Sequence, residues 1–273
     1  MKQDSATTAG AASLLRLERQ PAGSLRLTLA SPLANLLSEA MLIALQDAVE
    51  AAAADASVRV LVVAAEGKIF CGGHDLKELT AHRNAADGGR AYFEGVFDRC
   101  SRLMQAILAL PKPVVAEVGG LATAAGCQLV ASCDIVIASD EARCGVNGID
   151  VGLFCSTPMV ALSRNVGLKT AADMLMTGEL ISAQRAREAG LVSRAVPAGE
   201  LRPETERVCD RLLARPAHVL ALGKRAFYKQ LGLPMAEAYR LGSAAIVGNL
   251  LMDEAAEGIA AFIEKRKPHW PHS

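Results

Sequence analysis

Apolar and polar residues alternate over 14–29, a pattern that predicts one or two half-exposed strands. Leu37, Met41, Leu45 and Ala48 then recur at helical spacing within 36–54. The unbroken apolar run at 58–63 predicts a buried strand. Residues 88–110 again carry a helical period, ended by Pro111 and Pro113, which force an extended approach to the apolar run at 113–118. Ile135, Val136 and Ile137 supply a further strand. A strand, a glycine-rich turn and a helix thus follow one another twice, at Val60 and at Val114. That order implies parallel strands joined by helical crossovers, an α/β fold. From Thr157 onward the spacing reads as almost wholly helical, with segments at 200–214, 217–231 and 235–265 broken at Pro216, Pro234 and Pro268. A boundary near 197–202 separates a body (14–199) from a helical region (200–273), and 1–13 reads as a disordered tail.

Composition narrows the functions this pattern can serve. With 51% hydrophobic and 21% charged residues in 273, the chain has ample material for a core. Its formal net charge is zero and no block of lysines and arginines forms, which argues against nucleic acid or an anionic membrane as partner. Aromatic residues at 4% also weaken any base-stacking role. No apolar run reaches membrane-spanning length. Seven cysteines lie scattered with neither a CxxC pair nor metal-ligand spacing, so no metal site is expected and reduced, buried thiols are. The small, polar first residues do not read as a secretory or transit segment, and a cytoplasmic-type compartment is the expectation.

The chemistry-bearing features are two glycine-rich turns. Ala122-Thr123-Ala124-Ala125-Gly126-Cys127-Gln128 follows the strand at 113–118 and a Gly119-Gly120 break, and it opens an apolar helix. Small residues there let another molecule approach the backbone, and the amides of a first helical turn have no internal acceptor. Cys71-Gly72-Gly73-His74 follows the earlier strand and leads into the polar helix start Asp75-Leu76-Lys77. Each turn alone reads as a tight connection with no ligand. Two in this order suit an oxyanion hole, in which two N–H groups hold one developing negative oxygen. A dinucleotide-binding reading fails because G-x-G-x-x-G is absent around 119–126, and Gly167-Leu168-Lys169-Thr170 lacks Walker spacing.

Residues 70–79 and 116–134 resemble the two signature regions of the enoyl-CoA hydratase/isomerase (crotonase) superfamily. The resemblance runs from about Leu25 to Lys267 and includes 175–183, 189–192 and 257–266. The wording of 119–134 and 151–158 is most similar to the branch called enoyl-CoA hydratase domain-containing protein 3. The resemblance implies a spiral of ββα repeats and a helical C-terminal region that makes trimer contacts, with trimers pairing to hexamers. It implies an enoyl-CoA hydratase-like enzyme with a coenzyme A thioester as substrate or ligand and no permanently bound cofactor. The branch also admits a mitochondrial-type compartment.

Carried over residue by residue, the resemblance makes the backbone amides of His74 and Ala125 the oxyanion donors, supported by Gly72, Gly73, Ala124 and Gly126. It places the two glutamates that hydratases use for acid–base work at Gln128 and Gly148. A carboxamide neither takes nor gives a proton near neutral pH, and glycine offers nothing. Efficient hydration is therefore not expected, and acyl-CoA binding without turnover stands as the alternative. Restoring both glutamates is expected to raise hydration. Local replacements are few. Asp150 is a carboxylate two residues beyond Gly148, or a solvated or capping residue. The imidazole of His74 either reaches the thioester or serves as a local hydrogen-bond partner. Ser156 matches a position that carries catalytic groups in some members, and otherwise reads as a helix N-cap. Cys71, Cys127 and Cys155 read as small packing residues. For coenzyme A, Lys77 matches a family lysine beside the adenine–phosphate end, Asp75 and Leu76 count among the substrate-binding positions, and Phe262 with Lys265 matches a pair that contacts the nucleotide from a neighbouring subunit. The N-terminal motif departs from the family at Leu33, where a basic residue is common after Pro32.

Overall fold

The computed structural model describes residues 14–32 and 34–270; the expected tail at 1–13 and the Leu33 position lie outside them. The alternating segment forms two antiparallel strands, β1 (Leu15–Arg19) and β2 (Ser24–Leu29). Ser38 caps helix α1 (Glu39–Ala54) by accepting from the Met41 amide, and Met41, Leu42, Leu45, Ala48 and Val49 press one face of that helix onto the core. The apolar run that follows is β3 (Val60–Ala65), buried on both sides as a central parallel strand must be.

From β3 onward the chain repeats one movement. It lays a strand in a large sheet, turns a corner, adds a short strand to a small sheet and returns through helix. The first turn runs β3, β4 (Ile69–Cys71), α2 (Leu76–Ala81) and α3 (Arg90–Ala109). The second runs β5 (Val114–Val118), β6 (Leu121–Thr123) and α4 (Ala125–Ala131). The third runs β7 (Ile135–Ser139), β8 (Arg143–Gly145), α5 (Ser156–Leu162) and α6 (Leu168–Thr177). The chain then adds β9 (Ile181–Ser182), α7 (Ala183–Ala189) and β10 (Arg194–Val196). The large sheet has the order β1-β2-β3-β5-β7-β10 and the small one β4-β6-β8-β9. This is the spiral of ββα repeats that the resemblance implied.

The C-terminal helices are α8 (Leu201–Leu213), α9 (Ala217–Gln230), α10 (Met235–Leu250) and α11 (Asp253–Ile263). Leu201, Val208 and Cys209 of α8 close a second, smaller core with Val60, Val62, Val115 and Ile137 on the outer face of the large sheet. On that face Arg26 donates two hydrogen bonds to Glu117, at 2.6 and 2.7 Å. Helices α9 to α11 leave large apolar side chains exposed, among them Met235, Tyr239, Leu251 and Phe262.

Two expectations from periodicity are corrected. The stretch after Thr157 contains β9 and β10, strands too short to show a period, which exist because β8 and β7 offer them pairing partners. The span 235–265 is two helices, because the chain leaves helical geometry at the extended Met252 and restarts with Asp253 and Glu254 in the first turn of α11.

Candidate active site

The segment 34–37 stitches the first glycine-rich turn in place. Gly72 donates its amide to the Ala34 carbonyl (2.9 Å), and the Leu37 amide donates to Gly73 (2.8 Å). Asn35 anchors that segment: it sits at φ 48°, which Asn tolerates, and its side-chain amide donates to the carbonyls of Glu66 and Ile69. Beyond the turn, Asp75 caps α2 by accepting from the amides of Lys77 and Glu78. Its carboxylate is thereby spent on the helix start.

The second turn is tied to the next repeat. The Ala124 amide donates to the Gly145 carbonyl (3.0 Å), and the Thr123 hydroxyl donates to the side-chain oxygen of Asn147. Ala124 itself holds φ 50° and ψ −122°, a region that residues with a β-carbon rarely adopt. Ala125 then begins α4, so its amide has no carbonyl one turn back within the helix.

The two turns touch. Gly73, at φ 89°, passes so close that a β-carbon on it would lie 2.9 Å from the Ala124 methyl and 3.3 Å from the Ala125 nitrogen. A β-carbon on Gly126 would likewise fall onto the Cys71 carbonyl. Among the described residues, neither the His74 nor the Ala125 amide donates to a backbone carbonyl.

These turns form one wall of a cavity of about 460 Å³. Gly72, His74, Ala124 and Ala125 line that wall, while Leu76, Leu79, Phe97, Val151, Leu153 and Phe154 supply apolar sides. Thr123, Asn147, Cys155, Ser156 and Thr157 add the polar positions, and among the described residues no Asp, Glu, Lys or Arg lines the space. Sequence reasoning missed Thr123, Asn147, Phe97 and the apolar side chains at 151, 153 and 154. Thr123 lies within the recognised turn and 151–154 within a stretch of family wording, but neither was assigned to the site. Phe97 lies on a helix distant in sequence.

The expected acid–base positions are not both brought to the cavity. Gln128 is buried in α4 with its side-chain oxygen 4.0 Å from the Cys100 sulfur, and it does not line the space. Gly148 does line it, yet a β-carbon there would meet the Leu153 carbonyl at 2.6 Å and the Cys155 sulfur at 2.8 Å. The turn 147–153 folds over the glycine, so the position is filled space and not an emptied carboxylate slot. Asp150 is exposed and outside the lining; it accepts from the Asn147 side chain at 3.5 Å and packs beside Gly178. Ser156 is not an N-cap. It is the first residue of α5, and its hydroxyl donates to the Phe154 carbonyl, because the helix begins one residue earlier than proline and serine statistics suggest. Lys77 is exposed on α2, and Phe262 and Lys265 are exposed at the end of α11, outside the cavity lining.

Electrostatics separate the remaining groups. Burial pushes the Cys71 thiol up to about 12 and also raises those of Cys127 and Cys155, so all three stay protonated near neutrality. Burial lowers the pKa of His74 below the ordinary 6.5, opposed by its contact with the Leu37 carbonyl and by the charge of Glu78. The ring meets Phe97 edge-on at 4.9 Å.

A family model described as enoyl-CoA hydratase/isomerase matches residues 19–273. The chain is 49% identical to enoyl-CoA hydratase domain-containing protein 3, mitochondrial, of Xenopus laevis over 239 residues, 88% of this chain and 80% of that one. The solved structure of an enoyl-CoA hydratase from Mycobacterium smegmatis is 49% identical with a TM-score of 0.90, covering 94% of this chain and 99% of its own. That of human enoyl coenzyme A hydratase domain-containing protein 3 is 46% identical with a TM-score of 0.89, covering 94% and 100%.

These relatives correct one expectation. The Xenopus laevis protein and its namesakes from Mus musculus, Rattus norvegicus, Homo sapiens and Danio rerio are all named mitochondrial, against the cytoplasmic-type compartment read from composition. A balanced charge and reduced thiols suit any reducing compartment, so the folded body carries no address. Among the described residues no helix is long and apolar enough to cross a membrane.

Proposed function

The chain belongs to the enoyl-CoA hydratase/isomerase family, and on that premise we propose that it binds an acyl-CoA thioester and stabilises its enolate. The amides of His74 and Ala125 hold the thioester oxygen, with Gly72, Gly73, Ala124 and Gly126 keeping the two turns in contact. Removing a proton beside the carbonyl, or adding a nucleophile two carbons away, moves negative charge onto that oxygen. Two fixed N–H donors bind the charged oxygen more strongly than the neutral one, and this difference lowers the barrier. Losing one such donor costs about 3 kcal/mol in comparable sites.

The observation that carries the reading is the contact between Gly73 and the Ala124–Ala125 turn inside a largely apolar cavity. The apolar walls suit an acyl chain. The exposed Lys77, and Phe262 with Lys265 from a neighbouring copy, take the nucleotide end. The apolar faces of α9 to α11 support assembly into a homotrimer or a pair of trimers. The site lies within 14–199 and the assembly helices within 200–273.

A second reading has its own support. Among the described residues no carboxylate lines the cavity, which favours an acyl-CoA binder with slow hydration or none. Calorimetric titration with acyl-CoA species from acetyl to dodecanoyl, alongside turnover of a matching enoyl-CoA panel, separates the two. Binding with turnover supports the enzyme; binding alone supports the binder. Indifference to every coenzyme A thioester overturns both.

A further inference from the structure

The His74 amide is placed by a piece of chain outside its own turn. Residues 34–39, between β2 and α1, grip the stretch from Gly72 to Glu78 along its length. The Ala34 carbonyl accepts from the Gly72 amide, and the Leu37 amide donates to the Gly73 carbonyl. The Leu37 carbonyl lies 3.2 Å from Nδ1 of His74, and Leu37 with His74 forms an isolated bridge between the two strips of backbone. Further on, the Glu39 amide donates to the Glu78 carboxylate of α2 at 3.0 Å. Asn35 fixes this clamp to the body of the fold. It is 2% exposed, and its side-chain nitrogen donates to the Glu66 and Ile69 carbonyls at 3.0 and 2.8 Å. Those carbonyls flank the corner at which the chain passes from β3 in the large sheet to β4 in the small one. Ala125 is supported separately, by the bonds of Ala124 to Gly145 and of Thr123 to Asn147. Asn35 therefore bears on one of the two amides and not on the other.

We propose that Asn35 is a positioning residue of this site: the two hydrogen bonds of its side-chain amide set where the His74 N–H points, and with it how strongly the thioester carbonyl is polarised. This rests on the oxyanion reading above. Asn35 touches neither the cavity nor the ligand, and it acts through the clamp on the first turn. A hydrogen bond weakens steeply once its length or angle departs from the preferred range, so moving one donor by a fraction of an ångström removes much of its hold on the charged oxygen. The rest of the ligand makes its contacts elsewhere, so binding survives the loss of that one bond. The backbone of Asn35, at φ 48°, lies in the left-handed region, which Asn, Asp and Gly reach more readily than other residues. Those three residue types therefore separate the contribution of the side-chain bonds from that of the backbone.

The test reads the carbonyl directly and needs no turnover. Infrared difference spectra are recorded for saturated acyl-CoA species (acetyl to dodecanoyl) labelled with a heavy isotope at the thioester carbon, with binding measured separately by calorimetry. In the wild-type protein two N–H donors grip the oxygen, and the carbonyl band moves to lower frequency on binding. Asn35→Gly keeps the backbone conformation and has no side chain. Asn35→Asp keeps the shape and offers at most one of the two donors. Both variants bind the same acyl-CoA species and lose most of the band shift. A merely structural role for Asn35 lowers the melting temperature of the variants but leaves the band of the folded complex where it is in the wild type, and that result overturns the proposal. A wild-type band in Asn35→Gly alone also overturns it, because the side-chain bonds are then dispensable. Failure of both variants to fold overturns it too, by making Asn35 a residue of stability alone. A wild-type protein that binds acyl-CoA with no shift of the band, or that binds none of the series, overturns the oxyanion reading and this one with it.

Discussion

Lys224 places its ammonium 2.7 Å from the Asp134 carboxylate, joining α9 to the edge of β7 through a pair that is almost wholly buried. The same ammonium donates to the carbonyls of Ile107 and Lys112, and Asp134 also accepts from the Tyr228 hydroxyl and the Val114 amide. All three ammonium protons and both carboxylate oxygens in this knot have partners, which is the condition under which burying charge is tolerable. Replacing Lys224 with Met leaves Asp134 short of its counter-charge. The expected loss is about 3–5 kcal/mol, read as a lower denaturant midpoint. A shift within error would show that α9 is held by its apolar contacts alone.

The glutamate restoration expected from the sequence is revised by the geometry. Gln128→Glu with Gly148→Glu places one carboxyl in a buried site facing Cys100 and forces the other against the Leu153 carbonyl. Hydration of crotonyl-CoA should not rise, and stability should fall by about 1–3 kcal/mol through overpacking at 148. A variant that stays folded and hydrates well above the parent would mean that the 147–153 turn opens readily.

Gly73→Ala probes the contact between the two turns. The new methyl faces the Ala124 methyl at 2.9 Å in a backbone region unfavourable to any β-carbon. Displacing one amide by a fraction of an ångström should lower enolate formation about a hundredfold or more. Thermal melting alongside α-proton exchange distinguishes this from global unfolding. Unchanged exchange would detach the chemistry from these amides.

Stability should respond to acid through His74. Its folded pKa is depressed by burial, so the folded state binds fewer protons than the unfolded chain once the pH drops below 6.5. The stability present above that pH is lost progressively as the pH falls through the folded value. Chemical denaturation at a series of pH values should show a shallower acid loss in His74→Asn than in the wild type. Identical slopes would mean that the imidazole is no more buried than in the unfolded chain.

Much of the fold was legible because its signals are local. The buried run at 60–65, the periodic face of α1 and the stop at Pro111 are each written in a dozen residues or fewer. The family wording at 70–79 and 116–134 extended that to the spiral, whose short strands have no period of their own. The site was legible at its glycines and not at its walls. Phe97 arrives from α3, and Asn147 reaches Thr123 across two repeats, so neither has a neighbour in sequence that announces it. Gln128 and Gly148 were assigned from the resemblance by position alone, and a position says nothing about the direction of a side chain or the room around it.

The amino-acid order alone determined the longer strands and most of the helices, and that two glycine-rich turns follow strands. Those outcomes depend on backbone sterics and on apolar periodicity, which act over a few residues. Tertiary packing decided that the turns meet at Gly73, that Leu153 closes over Gly148, and that among the described residues no carboxylate lines the cavity beside them. Each of these depends on distances between atoms far apart along the chain, and such distances are set only when the repeats of the spiral stack.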